Sequence, residues 1–140
     1  MRLQQLTPFL PDGAFPARLD TSNWRIGRRM QDFTDYHAHL YFDANEAEEA
    51  GHLCQAIRDD LGLAIGRIHP NPVGPHPRGS CQITVPTAML GKALDWLLHR
   101  RGRFTVFCHG NSGNDLADHT RHVFWLGDAE KLDLRQFGPV

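Results

Sequence analysis

Residues 36–43 read YHAHLYFD. Successive residues of a strand point to opposite faces of its sheet. Tyr36, Ala38, Leu40 and Phe42 therefore share one face, and His37, His39 and Tyr41 share the other. The first face is apolar throughout and needs a core. The second carries two imidazoles and a phenol and faces something wetter. A strand of this kind belongs to a sheet packed on one side only, which restricts the chain to antiparallel or mixed architectures.

The rest of the chain supplies the missing layer. Asp43 is placed to cap a helix over about 45–61, in which Ala47, Ala50, Leu53, Cys54, Ile57 and Leu61 recur at helical spacing. Gly62 stands where such a helix ends. Residues 63–69 read as a second strand, and PNPVGPHP at 70–77 as a loop stiffened by four prolines. In the third strand, 80–85, Cys81, Ile83 and Val85 oppose Gln82 and Thr84. Pro86 stops it. Thr87 is placed to cap a second helix to about residue 100, burying Met89, Leu90, Leu94, Leu97 and Leu98 in part. In the fourth strand, 104–109, Phe104, Val106 and Cys108 oppose Thr105, Phe107 and His109. Residues 110–120 read as a loop or short helical turn, and 122–126 as a short fifth strand.

This order is β-α-β-β-α-β with an extra C-terminal strand, an α+β arrangement of the ferredoxin-like kind. Helices cover one face of the sheet. The other face receives His37, His39, Tyr41, Gln82, Thr84, Phe107 and His109, because strands one, three and four are neighbours in this pattern. Residues 1–33 read as an N-terminal arm packing through Phe9, Phe15 and Trp24, or as a partly ordered tail. Residues 34–128 form the domain, and 129–140 a tail that looks peripheral.

Composition narrows the function. At 140 residues the chain has the size of one domain. It carries 15 basic and 16 acidic residues with no basic run, which argues against nucleic acid or a membrane surface as partner. Cys54, Cys81 and Cys108 form no CxxC pair, so a zinc ribbon or disulfide framework is not expected. No apolar run approaches a membrane span, and none near Met1 resembles a signal peptide. The expectation is a soluble cytoplasmic protein.

The histidines are the functional signal. Six of the nine fall in three places: His37 with His39, His69 with His76, and His109 with His119. Neutral imidazole is a common ligand of first-row transition metals. Two histidines at i and i+2 on a strand, with a third from its neighbour, can occupy one side of a metal and leave positions open, or simply hydrogen-bond across the sheet. His76 lies between two prolines, a rigid mount for an acid/base group or only a rigid turn. Asp115 and Asp118 either cap and solvate a turn, complete a two-His-one-carboxylate set, or orient a histidine. Tyr41, Phe107 and Trp125 either stack on an aromatic ligand or serve as core or interface aromatics. His52, His99 and His122 take no role. GxSxG, GxGxxG, HExxH and P-loop motifs are absent, and Cys108 and His109 point to opposite faces, which disfavours a nucleophile–base pair.

YHAHLYFD at 36–43, HPNPVGPHP at 69–77, and HGNSGNDLADHT at 109–120 with WLG at 125–127 together resemble the DOPA 4,5-dioxygenase family, the small fungal and bacterial group. The likeness runs from about Tyr36 to Gly127. It departs from the family after His109, where GNSGND replaces the usual Pro-x-Thr-Gly-Asp. The resemblance implies a small ferredoxin-like protein, commonly dimeric. It implies ring-opening of a catechol such as DOPA beside its two hydroxyls, with non-haem Fe(II) and O₂. Zinc or nickel in a purified sample would not be surprising, since affinity order does not favour Fe(II). On this reading His37, His39 and His109 are the metal-site residues. His76 and His119 act as acid/base or orienting groups, and Tyr41, His69, Phe107 and Asp115 contact substrate. A homodimer burying the open face would wall the pocket. Two other readings remain at this level: a metal-free enzyme using the same histidines as acid and base, and a non-enzymatic ferredoxin-like binding domain.

Overall fold

The computed structural model describes residues 33–138; the anchors expected at Phe9, Phe15 and Trp24 lie outside them. The alternating run forms β1, Asp35–Phe42. It is the centre of an antiparallel sheet whose other strands are β2 (Ala64–Ile65), β3 (Gly79–Pro86), β4 (Thr105–Gly110) and β5 (Val123–Leu126). The strand order is β2-β3-β1-β4-β5. This is the expected ferredoxin-like order, extended by β5 along the free edge of β4.

Two helices, α1 (Ala47–Leu61) and α2 (Leu90–Arg100), cover one face. Under them lie Ala38, Leu40 and Phe42 of β1, Cys81, Ile83 and Val85 of β3, and Val106 and Cys108 of β4, all buried. These are the residues that period two assigned to the apolar face. Each fully buried Leu, Ile or Phe among them contributes about 1.5–3 kcal/mol of hydrophobic stabilisation. Both helices open with a 3₁₀ turn, Ala44–Glu46 and Thr87–Met89. The Asp43 amide donates to Glu46 Oε1 at 3.0 Å, half of a capping box. Gly62 closes α1 at φ 70°, a left-handed conformation that glycine adopts without strain.

Local expectations fail in three places. The second strand shrinks from 63–69 to two paired residues. Beyond Ile65 only the Gly66 amide, donating to Gln82 O at 2.7 Å, and one bridge between His69 and Ser80 hold the chain to β3. Pro70 has no N–H with which to continue the ladder. Thr87 does not cap α2, because its hydroxyl donates to the Phe33 carbonyl at 3.1 Å. Leu98 is 61% exposed; Ala93 and Leu97 are the buried residues of α2.

The opposite face is roofed over His39, Tyr41, Phe107 and His109, while His37, Gln82 and Thr84 stay half-exposed. Tyr41 and Phe107, which point there, have no exposed surface at all. The roof is the proline loop bearing His76, the turn α3 (Asp115–Asp118) with His119 after it, and the C-terminal segment. That segment is not peripheral. The Asp133 amide donates to Pro75 O at 2.9 Å, and the Phe137 ring packs 4.8 Å from His119. Arg78 reaches both Glu130, at 2.8 Å, and Asp43, at 3.1 Å, tying the segment to the start of α1. The chain's own residues therefore supply part of the wall over this face.

Candidate metal centre

The antiparallel register sets the centre. His37 of β1 sits opposite His109 of β4, and His39 sits opposite Phe107. On the other flank His37 faces Thr84 and His39 faces Gln82 of β3. Each of these residues has the side-chain parity of the roofed face, so three imidazoles meet across two strands. One ligating nitrogen from each of His37, His39 and His109 lies within 4.8 Å of the other two. His39 Nε2 and His109 Nε2 are 3.3 Å apart. Two nitrogens each about 2.1 Å from one metal would be separated by about 3.0–3.4 Å for bond angles between octahedral and tetrahedral. The His39–His109 spacing matches a pair of ligands on one ion, and the three histidines together could hold a metal.

Protonation fits as well. Burial holds His37 below the ordinary imidazole value. It holds His39 well below, with repulsion from His76 and His109 adding to it. Burial, aided by the neighbouring His119, pushes His109 and His76 down to about 4. All four are neutral at pH 7, as ligation requires. His109 Nδ1 lies 3.3 Å from its own strand's Gly110 carbonyl. A proton on Nδ1 donated there leaves the lone pair on Nε2, the atom that faces His39. Gln82 Nε2 approaches His37 Nε2 at 3.3 Å and steadies that ring.

His76 and His119 border the three. The His76 ring is 4.1 Å from His39, and the His119 ring is 4.4 Å from His109. Tyr41 lies beneath with its hydroxyl 2.7 Å from His76 Nδ1. Burial raises the Tyr41 phenol, so it stays protonated and this hydrogen bond is permanent. His119 Nδ1 donates to the Asp115 carbonyl at 2.7 Å, leaving Nε2 as its free acceptor. Phe107 stacks between His39 and Trp125, at 5.8 and 4.7 Å.

The five histidines expected at the site thus converge on one face. His69 is tied to Ser80 by paired backbone bonds and lines, with His39 and His76, a cavity of about 380 Å³ beside the cluster. Tyr41 and Phe107 underlie the cluster and have no free surface. The Asp115 side chain is exposed and lies outside the lining of that cavity; only its carbonyl touches a site residue. Asp118 is the buried carboxylate of the loop. It accepts from Ser112 N and Oγ at 2.9 and 2.6 Å and from His122 Nδ1 at 2.8 Å. It orients a histidine, His122, rather than joining the metal set. Gln82, Phe137, Ser112 and His122 were not assigned roles from sequence. The parity of β3 puts Gln82 on the site face, but the other three lie in segments without periodicity.

Comparison with known proteins places the chain among dioxygenases of one family. A profile of the Dopa 4,5-dioxygenase family matches residues 36–136. A protein from Amanita muscaria named DOPA 4,5-dioxygenase is 32% identical over 109 residues, covering 71% of this chain and 48% of its own length. An uncharacterised 21.2 kDa protein of Botryotinia fuckeliana is 30% identical over 111 residues, covering 71% of this chain and 61% of its own. The chain therefore spans about half to three-fifths of the curated relatives it matches. The crystal structure of a candidate dioxygenase from Nostoc punctiforme superposes with a TM-score of 0.64 at 31% identity, covering 76% of this chain and 95% of that one.

Proposed function

The chain belongs to the Dopa 4,5-dioxygenase family, and from that premise we propose that it opens the ring of a catechol beside its hydroxyls, with Fe(II) and O₂. The observation that carries this reading is the triangle of His37, His39 and His109, with nitrogens within 4.8 Å and no carboxylate among them. Neutral ligands leave the metal's full charge to be met by the two oxygens of an ionised catechol. Three protein ligands also leave coordination positions free. Fe(II) held there supplies Lewis acidity toward the catechol oxygens and the redox chemistry that brings O₂ to the ring.

The chain's own residues do the rest. The cavity beside His39 and His76 is large enough for one aromatic ring with a short substituent. Loop, turn and C-terminal segment shield His39, His76 and His109 from bulk water, and His37 and His119 stay half-buried. His119, with Nδ1 donating to a carbonyl, offers Nε2 to take a hydroxyl proton. His76 is different. Its bond to Tyr41 can run in either sense: phenol donating leaves N–H at His76 Nε2, and Nδ1–H donating leaves a lone pair there. His76 Nε2 can therefore accept a proton and later return one, a general acid/base role worth typically 10²–10⁴-fold in rate. A homodimer and a cytoplasmic location belong to the same reading. Among the described residues no helix is long and apolar enough to cross a membrane.

A metal-free acid/base enzyme is the second reading. The 3.3 Å contact between His39 and His109 is also the length of an imidazole–imidazole hydrogen bond. Anaerobic loading with Fe(II), then addition of L-DOPA, catechol or protocatechuate with O₂, separates them. Iron-dependent O₂ uptake with a yellow ring-opened product is expected. Uptake or turnover indifferent to iron would overturn the metal reading.

A further inference from the structure

The cavity beside the cluster has a second end. Its wall includes His39 and His76 toward the metal centre, Ser80 and Gln82 of β3 along the floor, and His69 and Arg67 on the side of β2. No acidic side chain lines it among the described residues. Arg67 is exposed there and makes no ion pair among the described residues, whereas Arg78, Arg103 and Arg135 are each engaged by Asp or Glu. Its backbone is held on both sides. The Gly66 amide donates to Gln82 O at 2.7 Å, and His69 exchanges bonds with Ser80 at 2.9 and 2.8 Å. The arginine is therefore a cation on a pinned mount facing an acid-free cavity.

From this we infer that Arg67 is the specificity residue of the site, anchoring a carboxylate on the side chain of the catechol. The inference rests on the ring-opening reading for the catechol end and on Arg67 alone for the other end. Guanidinium groups match carboxylates through parallel N–H donors. From His39 on β1 across β3 to the segment carrying Arg67 is two strand spacings, about 10 Å. That span suits a carboxylate on a two- or three-carbon arm better than one attached directly to the ring. The same cavity offers no carboxylate to an ammonium group. A catechol acid without an amine should therefore be bound better than the corresponding amino acid, and an amine without an acid worst.

The test is equilibrium binding without O₂, by calorimetry, to the full chain with and without Fe(II). The probes are 3-(3,4-dihydroxyphenyl)propionate, L-DOPA, dopamine and neutral 4-propylcatechol. The expected order is propionate, then L-DOPA, with dopamine weakest. In Arg67→Leu the preference for propionate over the neutral probe falls about tenfold, the size of one charge-assisted hydrogen bond at a partly solvated site. Arg67→Lys, which keeps the charge but loses the fork, restores part of it. A preference unchanged in Arg67→Leu, or dopamine bound as well as the propionate, would overturn the assignment. Turnover assays on the same variants separate the two readings. Arg67-dependent acid binding without ring cleavage would retain the anchor and remove the catechol chemistry. Cleavage of every catechol with no dependence on Arg67 would do the reverse.

Discussion

Tyr41→Phe removes one oxygen atom and no packing. The ring has no exposed surface and keeps its neighbours Phe107 and Trp125, at 6.3 and 6.0 Å. The lost group is the hydroxyl 2.7 Å from His76 Nδ1. His76 is itself only 8% exposed, and among the described residues its Nδ1 has no hydrogen-bond partner other than Tyr41. The cost is therefore that of a buried polar atom left unsatisfied, about 1–3 kcal/mol, with no cavity contribution to add. The assay is urea unfolding of the metal-free protein at pH 7.5, comparing midpoints at unchanged m-value. We expect a loss of about 2 kcal/mol. Turnover should fall further than stability alone explains, since His76 also loses the partner that lets its Nε2 change between donor and acceptor. A variant as stable and as active as the parent would refute the role given to this pair.

Other predictions follow from the same contacts. His76 and His109 are displaced from an ordinary 6.5 to about 4. The stability that depends on their being neutral is complete above pH 6.5 and lost as pH falls toward 4, at most ~3 kcal/mol for each. Urea midpoints of the metal-free protein between pH 7.5 and 4.5 will show that decline; flat midpoints would contradict it. Gly79→Ala places a Cβ 2.7 Å from the Phe42 ring and 2.9 Å from the Phe42 carbonyl. It should destabilise by about 1–3 kcal/mol of overpacking, seen as a lower melting temperature. Asp118→Ala frees Ser112 and His122 together. Faster amide exchange over 111–122 is expected, and unchanged exchange there would show that the clamp does not hold the loop.

Much of this was legible because one strand carried two messages. Period two in residues 36–42 fixed both the helix-covered core and the face on which His37 and His39 sit. The same parity in 104–109 placed His109 with them. The antiparallel register then needed only the ferredoxin-like strand order to bring the three together. Helix α1 was readable from its spacing, a capping Asp43 and Gly62. What was not readable lies where chain geometry, not periodicity, decides. The proline loop, the 110–122 turn and the C-terminal segment fold over the sheet through bonds such as Asp133 to Pro75 and packing such as Phe137 on His119. None of these has a repeating pattern. For that reason a face that looked open proved to be roofed in part, and Tyr41 and Phe107 lie under the site instead of at its surface. Arg67 carries no sequence signal for a similar reason. Its proposed role depends on what surrounds the cavity, not on any pattern around a single arginine in a short exposed segment.

On the proposed reading, His37, His39 and His109 make one metal centre on which the reaction depends. The most direct measurement is anaerobic Fe(II) titration of the parent chain, His39→Ala and His109→Ala, with O₂ consumption on a catechol acid recorded at each loading. One tightly held Fe(II) per parent chain is expected, with uptake rising in proportion to it and loss of both in the two variants while they remain folded. Fe(II) held equally by the variants, or uptake that does not follow bound iron, would contradict it.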